Sequence, residues 1–225
     1  MPTPVETVVE DGRTVELYQD GDQFEVAVDG RRVMASAARR AEATLAELAV
    51  SPWHGRDDVS VLASGLGMGH LVRAVLDAPG AAVVRVDVVE CSAAIRRWNQ
   101  ELFAHRSTLA DPRVALHDGE LGAFVRAPRQ PPLPPDGWFA LILDLDEHPM
   151  WYSRTGNPFL YTDEGLDALI GALRPGGVLA LWTAQRDDAL DKRMRARLQQ
   201  VNRVGVPTDA GLDYVYRGRR PPRRN

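Results

Sequence analysis

The run VSVLASGLGMG, Val59–Gly69, followed by HLVRAVL, His70–Leu76, decides how this chain folds. Val59–Ala63 is apolar with β-branched residues and reads as a buried strand. Ser64-Gly65-Leu66-Gly67-Met68-Gly69 then turns the chain, and Gly69–Leu76 has the spacing of a helix. Strand, glycine loop and helix in that order let the backbone turn tightly and approach a ligand that bulkier side chains would exclude. The spacing is G-x-G-x-G rather than G-x-G-x-x-G, so cradling a pyrophosphate is not the first inference. Taken alone, the loop also reads as a connection that only turns the chain.

Outward from this unit the pattern repeats. Val83–Val89 reads as a second strand and Ala93–His105 as a second helix. Val114–Leu116, Leu121–Val125, Phe139–Leu143, Glu164–Leu173 and Val178–Trp182 continue the alternation expected of a parallel sheet covered by helices. Ala184–Gln200 has a helical pattern, and Tyr214–Tyr216 reads as a last strand. Five prolines among the ten residues of Pro128–Gly137 make that segment a surface connection. Before the first unit, Thr14–Tyr18 and Phe24–Val28 are short β-type runs with turn signals at Asp20-Gly21-Asp22 and Asp29-Gly30. Ser36 is placed to cap a helix over Ala37–Val50, which Ser51-Pro52 ends. The expected division is a small β segment over 1–35, a nucleotide-type α/β domain over 36–216 and a basic flexible tail over 217–225.

The ends of the expected strands carry the candidate chemistry. Glu90 closes the second strand 21 residues after Gly69, where a carboxylate can accept both hydrogen bonds of a ribose diol. Asp118, in His117-Asp118-Gly119, ends the third strand; it can accept from the exocyclic amine of an adenine or cap the helix that begins near Glu120. Asp144, Asp146, Glu147 and His148 follow four apolar residues at the fourth strand end. General-base work, binding of a substrate ammonium group or a metal could each use such a group. The next strand end, Trp182-Thr183-Ala184-Gln185, has no carboxylate before Asp187, so no metal site is expected.

At 225 residues, with 44% hydrophobic and 26% charged residues, the chain suits one α/β core, and wholesale disorder or a fibrous rod is excluded. No apolar run approaches the ~18 residues that span a bilayer, and no basic-then-apolar leader is visible at the start, so a cytoplasmic protein without membrane attachment is expected. Cys91 is the single cysteine, which excludes an internal disulfide and a cysteine-based zinc site. The net charge is −4, but the last nine residues hold five arginines and no acid, so the remainder has 22 basic against 31 acidic residues, a charge of −9. Such a body repels nucleic-acid phosphate.

The glycine loop, Glu90, His117-Asp118-Gly119, the Asp144 strand end and Leu173-Arg174-Pro175-Gly176-Gly177-Val178 together resemble class I S-adenosylmethionine-dependent transferases. More narrowly, the order is similar to the spermidine synthase family, which also places a small β domain first and begins a later helix with a Phe-Thr-Glu-Glu-like segment, matched here by Leu160-Tyr161-Thr162-Asp163-Glu164. The resemblance covers about residues 14–183. It implies a Rossmann-like class I methyltransferase fold with an N-terminal antiparallel β segment, and S-adenosylmethionine or its decarboxylated form as cofactor. The residues it implies for that cofactor are Gly65, Gly67, Gly69, Glu90, Cys91, Asp118, Gly119 and Asp144; for catalysis they are Asp144, Asp146 and His148. The family's loop reads GGGDGG, and its aspartate, which faces the amine of decarboxylated S-adenosylmethionine, is replaced here by Met68. Its catalytic D-S-S-D-P is matched at Asp144 and, by count, Glu147, with Pro149 one residue late; its Gln and Tyr ahead of the loop meet the alanine-rich Ala35–Ala46. Methyl transfer to a small-molecule acceptor is therefore expected ahead of aminopropyl transfer, with a catalytically silent nucleoside-binding scaffold as the alternative of another class and a homodimer as the expected assembly.

Overall fold

The computed structural model describes residues 3–36, 40–103, 108–144, 162–208 and 211–223. Its first layer is a four-stranded antiparallel sheet, β1 (Glu6–Glu10), β2 (Arg13–Asp20), β3 (Gln23–Val28) and β4 (Arg31–Ala35), paired in chain order. The hairpins turn through Asp11-Gly12, Gly21-Asp22 and Asp29-Gly30; Asp11 and Asp29 take positive φ (50° and 48°), as tight two-residue loops require. Only β2 and β3 were legible as strands. The outer two are half-exposed edges whose apolar pattern is correspondingly weak.

Helix α1 (Arg40–Val50) ends in the single 3-10 turn Ser51–Trp53. The Ser36 hydroxyl accepts from the Phe24 amide and donates to the Phe24 carbonyl, which ties the end of the small sheet to β3. The main sheet then builds up from β5 (Val59–Ser64), α2 (His70–Leu76), β6 (Val83–Glu90), α3 (Ala93–Glu101), β7 (Val114–Asp118), α4 (Leu121–Arg126), β8 (Trp138–Asp144), α5 (Asp163–Ala172), β9 (Leu173–Thr183), α6 (Asp188–Arg195), β10 (Gln199–Thr208) and β11 (Gly211–Arg219). Strand order is β10-β11-β9-β8-β5-β6-β7, with β11 antiparallel to β9 and to β10 and the other pairs parallel. The expected Rossmann-like sheet preceded by an antiparallel β segment is present.

Alternation along the central strands sorts the core between the two faces. Val61 and Ala63 join α1, α2, α3 and the inner face of the small sheet in one apolar cluster. Leu62, Leu141 and Leu143 join α4, α5 and α6 in the other. All six residues of β5 are buried, as a strand covered on both faces must be. One polar group interrupts the second cluster. The Asp87 carboxylate, fully buried on β6, accepts from Arg85 and from the Trp138 indole and pairs with His117 at 2.7 Å. Burial pushes its pKa up, but the hydrogen bonds from His117, Arg85 and Trp138 outweigh that and hold it below the usual carboxylate value.

Two expectations need correction. The helix expected over Ala184–Gln200 is confined to Asp188–Arg195, and Gln199–Thr208 is strand β10. The Lys- and Arg-rich stretch stays helical as far as Arg195, and pairing with β11 and burial of Val201 and Val206 take the chain into a strand from Gln199. The last strand runs on from Tyr216 to Arg219, so Arg217 and Arg219, assigned to a basic tail by the charge pattern, lie within the sheet. Their guanidinium groups donate to the Leu48 and Gly176 carbonyls, and Arg219 stacks over Trp53.

The proline-rich connection docks through Gly137. It has φ 95°, and a Cβ there would run into the Ala172 carbonyl oxygen and the Leu173 backbone. Gly137→Ala therefore adds a backbone clash to a strain of about 1–3 kcal/mol. A melting temperature lowered by at least several degrees is expected in thermal denaturation.

No described helix is long and apolar enough to cross a membrane.

Candidate functional site

An open parallel sheet offers a crevice at the carboxyl ends of its strands, where successive connections leave in opposite directions. Here that point lies between β5, whose neighbours on one side are β6 and β7, and β8, which leads to β9. Four of the expected groups reach this edge: the glycine loop after β5, Glu90 at the end of β6, Asp118 at the end of β7 and Asp144 at the end of β8. Asp146 and His148 lie outside the described residues, as do Glu147 and Pro149.

The loop's three glycines all adopt left-handed backbone, with φ 82° at Gly65, 52° at Gly67 and 83° at Gly69. Gly65 extends the β6 ladder by donating to the Val89 carbonyl, and Gly69 precedes the first turn of α2. A Cβ on Gly67 would point towards the Met34 sulfur, 3.8 Å away, so β4 covers this part of the loop. Met68 is buried too, with its sulfur 3.7 Å from the Ser36 hydroxyl. The small sheet thus packs directly on the glycine loop, a placement that the sequence did not disclose.

Glu90 is buried, and its two oxygens are already engaged. Oε2 accepts from the Leu66 amide and Oε1 from the Ser92 amide, each at 2.8 Å. A carboxylate has about four acceptor positions, so these two bonds do not exhaust it. Burial pushes the Glu90 carboxyl up from its ordinary value, against the opposing pull of the Leu66 and Ser92 amides, of Arg96 and of the Gly67 amide.

Beside it lies a small hollow, open to solvent, lined by Ser64, Gly65, Glu90, Cys91, Gly119 and Glu120, with Val89 and Leu121. Of the residues expected to hold the cofactor, Gly67, Gly69, Asp118 and Asp144 do not line it. Burial first, then the charges of Glu90 and Glu120, push the Cys91 thiol far up, so it is a neutral wall of the pocket and not a nucleophile.

Asp118 is exposed and pairs with Arg96 at 2.7 Å. It does not cap α4, whose first turn has no side-chain cap. Arg96 also donates to the Glu90 carbonyl, so α3 ties the two acidic strand ends together. Asn99, one turn further along α3, donates to the Gly67 carbonyl at 2.8 Å. Ser92 caps α3 by accepting from the Ile95 amide. Ser92, Arg96 and Asn99 were not singled out from sequence, although a serine directly before the helical run Ala93–Glu101 is a legible cap signal. Asp144 is half-buried at the end of a strand whose preceding residues are fully buried, and it lies opposite Trp182 in register. Thr162 caps α5 by accepting from the Gly165 amide, as the helix-start motif implied.

No family model matches the sequence, and no curated protein matches it. Solved structures do. Spermidine synthase from Thermotoga maritima superposes with a TM-score of 0.72 at 16% identity, over 96% of this chain and 72% of that one. Spermidine synthase in complex with the transition state analogue AdoDATO gives 0.73 at the same identity and coverage. The chain has the fold of spermidine synthases and methyltransferases. On the methyltransferase side, N-methyltransferase NodS from Bradyrhizobium japonicum WM9 gives 0.56 at 16% identity, over 81% of this chain and 96% of that one. Human methyltransferase-like protein 13 in complex with SAH gives 0.57 at 16% identity, over 83% of this chain and 82% of that one.

Proposed function

We propose that this chain is an S-adenosylmethionine-dependent transferase that moves a methyl group to a small-molecule acceptor. The observation that carries the reading is the buried Glu90 carboxylate, fixed by the Leu66 and Ser92 amides at the wall of a pocket floored by Ser64, Gly65 and Gly119. A buried ionisable group held this way at a sheet's carboxyl edge suits a ligand that brings its own hydroxyl donors. In this reading Glu90 receives the ribose, Asp118 faces the adenine amine and the glycine loop lies against the amino-acid portion. S-adenosylmethionine supplies a carbon activated by its sulfonium. Asp144 accepts the proton that the acceptor's nucleophile loses, and Asp146 and His148, which follow it in the sequence, are further candidate bases. The fold shared with structures solved in complex with AdoDATO and with SAH supports the choice of cofactor.

Aminopropyl transfer is the second reading, favoured by the higher TM-scores of the two spermidine synthases and the larger share of this chain that superposes on them. The difference between the two readings sits at Met68. A carboxylate at that place would repel the carboxylate of intact S-adenosylmethionine, whereas the buried Met68 thioether carries no charge. Intact S-adenosylmethionine is expected to bind at least as tightly as the decarboxylated donor in a calorimetric comparison. A clear preference for the decarboxylated donor, with putrescine-dependent release of methylthioadenosine, would reverse the order of the two reactions.

A further inference from the structure

The tip of the first hairpin reaches the nucleotide side of the molecule through Glu10. Its Oε2 accepts from the Ser92 hydroxyl and its Oε1 from the Ala94 amide, each at 2.7 Å. Ser92 is the same residue whose amide fixes Glu90 Oε1 and whose hydroxyl caps α3. A continuous chain of hydrogen bonds therefore runs from an edge strand of the small sheet, through one serine, to the carboxylate assigned to the ribose. Four residues earlier, Glu6 anchors the same strand to the same helix, accepting from the Trp98 indole at 2.7 Å and pairing with Arg97, but it has no hydrogen bond into the Glu90–Ser92 corner. Docking of the strand and support of the corner are thus divided between two carboxylates.

From this geometry we infer that Glu10 is a positioning residue for nucleoside binding: through Ser92 it holds Glu90 in the orientation that accepts the ribose diol. The inference rests on the nucleotide reading given above. Physically, the anionic Glu10 satisfies a free amide of the first turn of α3 and complements the positive end of the helix. It also fixes the direction of the Ser92 hydroxyl, whose lone pair then meets the Ile95 amide. Without Glu10 the first turn of α3 loosens, and the Ser92 amide no longer holds Glu90 Oε1 in one place. The ribose hydroxyls are then received by a carboxylate free to rotate.

The test is a calorimetric titration of the full chain with S-adenosylhomocysteine and with its 2′,3′-dideoxyribose analogue. Wild type, Glu10→Ala, Glu10→Gln, Glu6→Ala and Glu90→Ala are compared. Glu10→Ala is expected to weaken S-adenosylhomocysteine by about 3- to 10-fold, the range of one ordinary hydrogen bond. Glu10→Gln, which keeps its size and one acceptor, is expected to fall between it and wild type, so the comparison stands even if the alanine variant folds poorly. With the dideoxy analogue the Glu10 penalty should shrink to within about twofold, because there is no diol left to orient. Any penalty from Glu6→Ala should be equal for the two ligands. A Glu10 penalty equal for both ligands, while Glu90→Ala still discriminates between them, would overturn the inference and leave Glu10 a docking residue like Glu6. If Glu90→Ala itself fails to discriminate, the ribose assignment is wrong and the inference falls with it.

Discussion

Replacing Asp144 with asparagine is expected to lower turnover by about 100- to 10,000-fold, the usual contribution of a positioned general base. Affinity for the nucleotide should stay close to that of the wild type. Asparagine keeps the size of the side chain and one acceptor oxygen, but it cannot take a proton. The expectation is positional. Leu141, Ile142 and Leu143 are fully buried, so the end of β8 is pinned, and Asp144 emerges at the carboxyl edge between the glycine loop and Trp182. An acid that only ordered the following connection would show a different signature: a lower melting temperature with turnover per folded molecule unchanged. Single-turnover rates measured beside thermal denaturation separate the two. A folded Asp144→Asn protein with undiminished turnover would move the base to Asp146 or His148.

The second large effect belongs to Glu90. Hydrogen bonds to a charged group contribute roughly 1.5–3 kcal/mol, so loss of the carboxylate is expected to weaken the nucleotide by about 10- to 100-fold. The choice of substitution matters because both oxygens accept backbone amides. Glu90→Gln would turn an NH₂ group towards either Leu66 or Ser92, setting donor against donor in a buried corner, and is expected to be no milder than alanine. Glu90→Ala leaves those two amides facing the pocket, where water can reach them. The melting temperature of this variant then reports how much of its affinity loss comes from a disturbed loop. A variant that melts normally yet binds S-adenosylhomocysteine with unchanged affinity would remove Glu90 from the site.

Much of the frame is legible in the sequence, because its signals are local. The apolar run ending at Ser64, the glycines after it and the acids at 90, 118 and 144 each sit where a strand must stop. What escaped was set by pairing across the chain. Strand β10 follows a helix made of good helix formers, and only its partnership with β11 shows that the helix ends at Arg195. β1 and β4 are edge strands with one face in solvent, although the Asp11-Gly12 turn between β1 and β2 carries the same signal as the Asp29-Gly30 turn that was recognised.

In the site, the acids were readable but their supports were not. Nothing local to Glu10 says that it meets Ser92, 82 positions later in the chain, and nothing local to Asn99 says that it holds Gly67. In the loop Met68 takes the place of the family's aspartate. Its side chain instead packs beneath Ser36, so it acts on donor choice only by leaving that place uncharged. Of the two roles the sequence offers Asp118, the helix cap is absent, since α4 has no side-chain cap, and the carboxylate pairs with Arg96 instead.

The central claim is that this sheet edge holds the nucleoside of S-adenosylmethionine on Glu90, and a calorimetric titration with S-adenosylhomocysteine tests it most directly. The account predicts saturable binding of one ligand per chain, weakened at least about tenfold by Glu90→Ala. A folded wild-type chain that shows neither heat nor thermal stabilisation with S-adenosylhomocysteine, S-adenosylmethionine or the decarboxylated donor would contradict it.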